Sequence, residues 1–98
     1  MTVRGVKAVE KTQQLESVLQ ELGSQLPGLE IRDHWEADLC AVGIVPSSRP
    51  SLLIYLSCYG RPPGHICYSI EEGHAEIEAA EDATVSRLIA AIRSRLGR

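Results

Sequence analysis

The residues of this chain best equipped for chemistry are Cys58, His65, Cys67 and His74. Thiolate sulfur and imidazole nitrogen are the donors of a tetrahedral zinc site, but the spacing argues against one. No Cys-x-x-Cys pair occurs, and alternation along a strand places Cys58 with Leu52, Ile54 and Leu56. A partly exposed, satisfied histidine is the simpler reading. His65 and Cys67 also have the types of a nucleophile and its base. Two residues apart on a strand, however, they project side by side, and the sequence identifies no third group to orient the imidazole. Gly60-Arg61-Pro62-Pro63-Gly64 is glycine-rich but opens no helix and lacks the Lys-Ser/Thr of a phosphate loop, so it reads as a rigid hairpin loop. Glu71, Glu72, Glu76 and Glu78 lack the loop spacing of a calcium site and suit a solvated strand edge. No cofactor-binding motif is present. A small metal- or thiol-dependent enzyme using His65 and Cys67 stands as the alternative to a binding function.

The element that must position these groups is Ser51 to Tyr59, whose apolar run from Leu52 to Leu56 is too short for a typical helix. Pro50 precedes it and the Gly60–Gly64 loop follows, so it reads as a central strand. Leu52, Ile54 and Leu56 face one way. Leu53, Tyr55, Ser57 and Tyr59 face the other, and His65, Cys67 and Ser69 of a neighbouring strand can join them. A sheet face mixing tyrosine, serine, histidine and a few aliphatics suits protein contact better than a dry core or bare solvent. An ordinary open sheet face that binds nothing is the plainer alternative.

The rest of the chain reads as what covers this strand. Leu15, Val18, Leu19, Leu22 and Leu26 recur at helical spacing and predict a helix from about Lys7 to Leu26, ended by Pro27-Gly28. Leu29 to Asp33 alternates as a short strand, and His34-Trp35-Glu36-Ala37 extends it or turns. Asp38 to Val45 is a second strand, His65 to Glu71 a fourth. Glu72-Gly73 is the expected hairpin turn into a polar edge strand over 74–79, with His74, Glu76 and Glu78 on one face. Asp82 or Thr84 can cap a last helix whose buried stripe is Val85, Leu88, Ile89, Ile92 and Leu96. The fold class is therefore α+β: an N-terminal helix, a four- or five-stranded antiparallel meander, and a C-terminal helix, with both helices on one sheet face. The 98 residues make a single domain, 1–98, with residues 1–6 frayed.

Hydrophobic content of 44% supports a core without a metal or disulfide, and the absence of Phe makes that core aliphatic. Cys40, Cys58 and Cys67 form an odd, scattered set, which predicts free thiols and a reducing compartment. Without a secretory signal pattern or a long apolar run, a cytoplasmic location and no membrane partner are the expectations. The net charge is −3 and is uneven: Glu71, Glu72, Glu76, Glu78, Glu81 and Asp82 occur between 71 and 82 with no Lys or Arg. That acidity disfavours nucleic acid and suits a basic protein partner.

Leu53-Ile54-Tyr55-Leu56-Ser57-Cys58-Tyr59-Gly60, then Cys67-Tyr68-Ser69-Ile70-Glu71 and a terminal helix ending in Leu96, resembles small acidic bacterial immunity proteins of polymorphic toxin systems. The resemblance covers the second half of the chain and transfers no functional residue. It implies a stoichiometric inhibitor that masks a toxin with its acidic surface. Secretion chaperones, also small, acidic and often dimeric, share the pattern. The reading that follows is a non-enzymatic protein-binding module, with a homodimer as one form. Its contact residues are Leu53, Tyr55, Ser57, Tyr59, His65 and Cys67, and the acids Glu71, Glu72, Glu76 and Glu78 steer association.

Overall fold

The computed structural model describes residues 3–5 and 9–97. Helix α1 (Gln13–Gln25) is followed by strands β1 (Leu29–Trp35), β2 (Asp38–Pro46), β3 (Leu52–Ser57), β4 (His65–Glu72) and β5 (Ala75–Thr84), and then by helix α2 (Val85–Leu96). The strands pair in sequence order, each antiparallel to the next, so β3 is the middle of a five-stranded meander. Alternation along β3 is clean: Leu52, Ile54 and Leu56 are buried, while Leu53, Tyr55 and Ser57 are half-buried. The first set joins one core with Leu15, Val18, Leu19 and Leu22 of α1, Leu88, Ile89 and Ile92 of α2, and Ile44, Ile66 and Ile70 of the flanking strands. The core is aliphatic as expected except for the buried ring of Tyr68 on β4.

Helix α1 begins later than its periodicity predicts. The Thr12 hydroxyl accepts from the Leu15 amide and caps the first turn at Gln13. The residues just before it do other work. Lys11, only 6% exposed, donates from Nζ to the carbonyls of Trp35 and Asp38 at 3.1 and 2.7 Å, and the Thr12 amide donates to the Leu39 carbonyl. This clamp ties the entry to α1 onto the β1–β2 hairpin. The expected frayed start is also corrected over 3–5: Val3 is buried in the core, and Arg4 forms a parallel bridge to Glu30 on the outer edge of β1. Met1, Thr2, Val6, Lys7 and Ala8 lie outside the described residues.

At the other end Thr84, not Asp82, caps α2 by accepting from the Arg87 amide. The two helices lie side by side and run in the same direction. Gln14 donates to the Arg61 and Pro62 carbonyls, and the Val85 amide to Gly64, so both helices start against the β3–β4 loop. Near their ends Arg93 donates to the backbone and side chain of Gln25.

Strand β5 runs to Thr84, past the expected end at Ala79, because bulges let it continue beside β4. Its turn is Gly73-His74, one residue later than Glu72-Gly73. Both residues have positive φ, 58° and 75°, as a tight two-residue hairpin turn demands. An extra residue at Ile77 separates the pairs Glu71–Glu76 and Ile70–Glu78. The bulge reverses the alternation between Glu76 and Glu78, so these two do not share a face as their spacing predicts.

Leu19 and Ile92 are fully buried in the common core. Leu19→Ala and Ile92→Ala are each expected to cost about 2–5 kcal/mol, as measured by urea unfolding. A loss below about 1 kcal/mol at both would place the helical stripes outside the stabilising core.

Candidate functional site

The face of the sheet opposite the Leu52-Ile54-Leu56 core carries the most distinctive side chains. Strand pairing sets two rows across it. Ala41, Ser57 and Cys67 form one; Asp33, Gly43, Tyr55, Ser69 and Ala79 form the next. Between them lies an apolar hollow of about 220 Å³, lined by Trp35, Ala41, Tyr55, Ser57, Cys67 and Ser69. None of its lining residues comes from a helix.

Tyr55 is held in place by a neighbour with no side chain. A Cβ added at Gly43, its partner on β2, would stand 3.2 Å from the Tyr55 ring and equally close to Asp33. The ring therefore lies over Gly43 and reaches β1, where its hydroxyl donates to Asp33 Oδ2 at 3.3 Å. Trp35 sits against it, tilted by 33° with ring centroids 6.0 Å apart, and is itself 46% exposed. Burial, then the adjacent Asp33 carboxylate, raises the Tyr55 hydroxyl above its ordinary pKa. The hydroxyl thus remains a neutral donor, and the Trp35–Tyr55 pair forms a firm amphipathic wall.

The residues singled out in the sequence divide into three groups. Leu53, Tyr55, Ser57, His65 and Cys67 do lie on β3 and β4 with the alternation of this face. Tyr59 does not, because β3 stops at Ser57 and Tyr59 stands in the following turn, 79% exposed. The four glutamates also part company. Glu71 and Glu76 oppose each other across β4 and β5, and Ser69 Oγ donates to Glu76 at 2.7 Å. Glu78 instead accepts from the buried Tyr68 hydroxyl at 2.5 Å and pairs with Arg95 of α2 at 3.3 Å. Glu72 accepts from Ser51 and pairs with Arg49, and these contacts, Ser51 first, hold its carboxyl below the usual range. Glu72 and Glu78 therefore serve the fold, since their acceptor oxygens are already engaged.

His65 Nδ1 meets Asp82 Oδ1 at 2.9 Å, and Arg61 lies 3.8 Å from the other carboxylate oxygen. The orienting group for His65 that the sequence could not identify is thus Asp82, placed there by the extension of β5. No hydrogen bond joins His65 to Cys67 among the described residues, and no cluster of three or more His, Cys, Asp or Glu among them is placed to hold a metal. Cys67 is exposed, Cys40 half-buried and Cys58 buried, all as free thiols.

Trp35, Asp33 and Gly43 are the residues of this face that sequence reasoning missed. An extra residue at Arg32 interrupts the β1–β2 register, so that Asp33 stands opposite Gly43 rather than continuing the Leu29-Ile31 side. Counting by twos through an unmarked bulge assigns every later side chain to the wrong face. The isolated Gly43 inside an apolar strand was the available signal, because such a glycine marks a close approach. Comparison of the chain with protein-family models, curated proteins and solved structures gives no match.

Gly43→Ala is expected to displace the Tyr55 ring and its contact with Trp35, seen as a change in emission from this lone tryptophan, while the helical circular dichroism persists. Unchanged emission would show that the ring does not depend on the glycine. The thiols provide a second check. Burial, with Cys40 as a lesser cause, pushes the Cys58 thiol from 9.0 up to about 11. Below pH 9 folded and unfolded chains both hold this proton; between about pH 9 and 11 the unfolded chain releases it first, so the fold loses stability as pH rises. Cys58→Ala should shrink the drop in urea midpoint across that window, and native alkylation should modify Cys67 well before Cys58. Equal drops in both proteins would remove Cys58 as a cause.

Proposed function

We propose that this protein is a non-enzymatic protein-recognition module that binds through the open face of its sheet. The observation that carries the reading is the hollow walled on one side by the Trp35–Tyr55 pair, apolar in lining and built entirely from strands. Its volume of about 220 Å³ is below the roughly 300–1,000 Å³ of small-molecule sites and suits a single protruding side chain. Tyrosine and tryptophan on a rigid sheet supply large contact area at little entropic cost, and their polar atoms tolerate water until a partner arrives. A toxin-neutralising protein of the immunity type is the form of this function that the sequence resemblance implies, and a dimeric secretion chaperone is its neighbour in kind.

A thiol-dependent enzyme is the second reading, and the His65–Asp82 bond is the observation that favours it. It would require the Cys67 thiol to meet His65 Nε2. Stoichiometric, Cys67-specific alkylation at pH 6, well below the ordinary thiol range, would support that reading. Ordinary alkaline-dependent alkylation would count against it.

Tyr55→Ala is the direct test of recognition. Association with partners captured from cells of the source and then purified should weaken by more than about 1 kcal/mol, as for a contact near an interface centre. The variant should remain folded. Ile54→Ala, on the opposite side of the same strand, should instead cost about 2–5 kcal/mol of stability. Undiminished binding by folded Tyr55→Ala would remove the open face as the contact surface.

A further inference from the structure

The structure separates acids that are ion-paired within the fold from acids that are not. Glu72 and Glu78 are paired with Arg49 and Arg95, and Asp82 with His65 and Arg61. Asp33, Glu71 and Glu76 take part in no ion pair among the described residues. All three flank the Trp35–Tyr55 hollow. Asp33 accepts from the Tyr55 hydroxyl, Glu76 accepts from the lining residue Ser69, and Glu71 follows Ser69 on the same side of β4. Glu71 and Glu76 are also direct cross-strand partners, set opposite each other by the two-residue Gly73-His74 turn. Like charges in that relation destabilise a sheet, so the pair works against the fold that carries it.

From this arrangement we infer that the partner docks a large apolar side chain in the hollow and an adjacent lysine or arginine on the Glu71–Glu76 pair. The inference rests on the reading of the open face as a protein-docking surface and adds the chemistry of the occupant. A cation between the two carboxylates relieves their repulsion and completes their pairing at once. The apolar hollow beside them holds the neighbouring side chain dry. A second copy of this chain is the wrong occupant. It would bring another Asp33, Glu71 and Glu76 toward the same rim, and like-charge juxtaposition opposes such an interface.

The test uses a phage-displayed library of random twelve-residue peptides, selected on the intact protein and counter-selected on Tyr55→Ala. Affinities of synthetic peptides from the enriched set are read by the emission of Trp35, the chain's one tryptophan. Peptides with Lys or Arg beside a large apolar residue are expected. Their affinity should fall at least tenfold in Glu71→Gln/Glu76→Gln and fall again with added salt, while the variant's melting temperature is unchanged or higher. That combination separates a binding pair from a structural one, because a structural pair would lose stability. Tyr55-dependent peptides that lack basic residues, or that bind the double variant equally well, would overturn the cation pairing and leave protein recognition standing. Tyr55-dependent self-association in sedimentation would make a second copy the occupant and overturn the inference. A monomer that enriches no Tyr55-dependent peptide would overturn both the inference and the docking reading.

Discussion

Strand β3 is paired along both of its edges and buries Leu52, Ile54 and Leu56 on one side, and the remaining elements are arranged by that burial. A central strand can use the hydrophobic effect on one face only while its backbone is satisfied laterally by β2 and β4. The apolar stripes of α1 and α2 reach the same core, and a chain without Phe closes that interior with Leu, Ile and Val and the buried ring of Tyr68. Register follows from the same constraint. A slip of one residue would exchange Ile54 for Tyr55 and place a hydroxyl in the aliphatic layer.

The other side of β3 answers to a different requirement. Gly43 contributes no side chain, and the vacated space is occupied by the Tyr55 ring crossing toward Asp33. Tyr55 is thus fixed by a cross-strand glycine, a carboxylate and an indole, each from a different part of the β1–β2 hairpin. That hairpin is in turn held by Lys11, whose buried amine has two backbone carbonyls as acceptors. The geometry of the hollow therefore depends on a residue that does not line it. A surface prepared in this way loses little conformational freedom on binding.

Charge on this protein has two uses, and bulges divide them. Where β5 is regular beside β4, Glu78 turns toward Tyr68 and Arg95 and reinforces the packing of α2. The Gly73-His74 turn sets Glu76 against Glu71, and the extra residue at Ile77 leaves it on the opposite face from Glu78. The same composition of glutamates thus supplies a structural ion pair and an uncompensated acidic rim. The two irregularities also keep β5, an edge strand, from templating another strand, since they interrupt a flat ladder.

The order of elements, the central position of β3, the core stripes of both helices and the face carrying Tyr55 were all legible in the sequence. Each rests on local periodicity: 3.6 in the helices and 2 in Leu52 to Ser57. Short connections allowed little besides a meander. What periodicity could not carry was anything beyond a bulge. Trp35 lines the hollow and Asp33 meets the Tyr55 hydroxyl because Arg32 is an extra residue in β1, and Glu76 leaves Glu78 because Ile77 is an extra residue in β5. Nor could it place Lys11, which reads as helix until the Trp35 and Asp38 carbonyls stand beside it. Face assignment by sequence is a count of residues. The count is correct only while each residue on one strand opposes one on the next, and that correspondence is set by tertiary pairing.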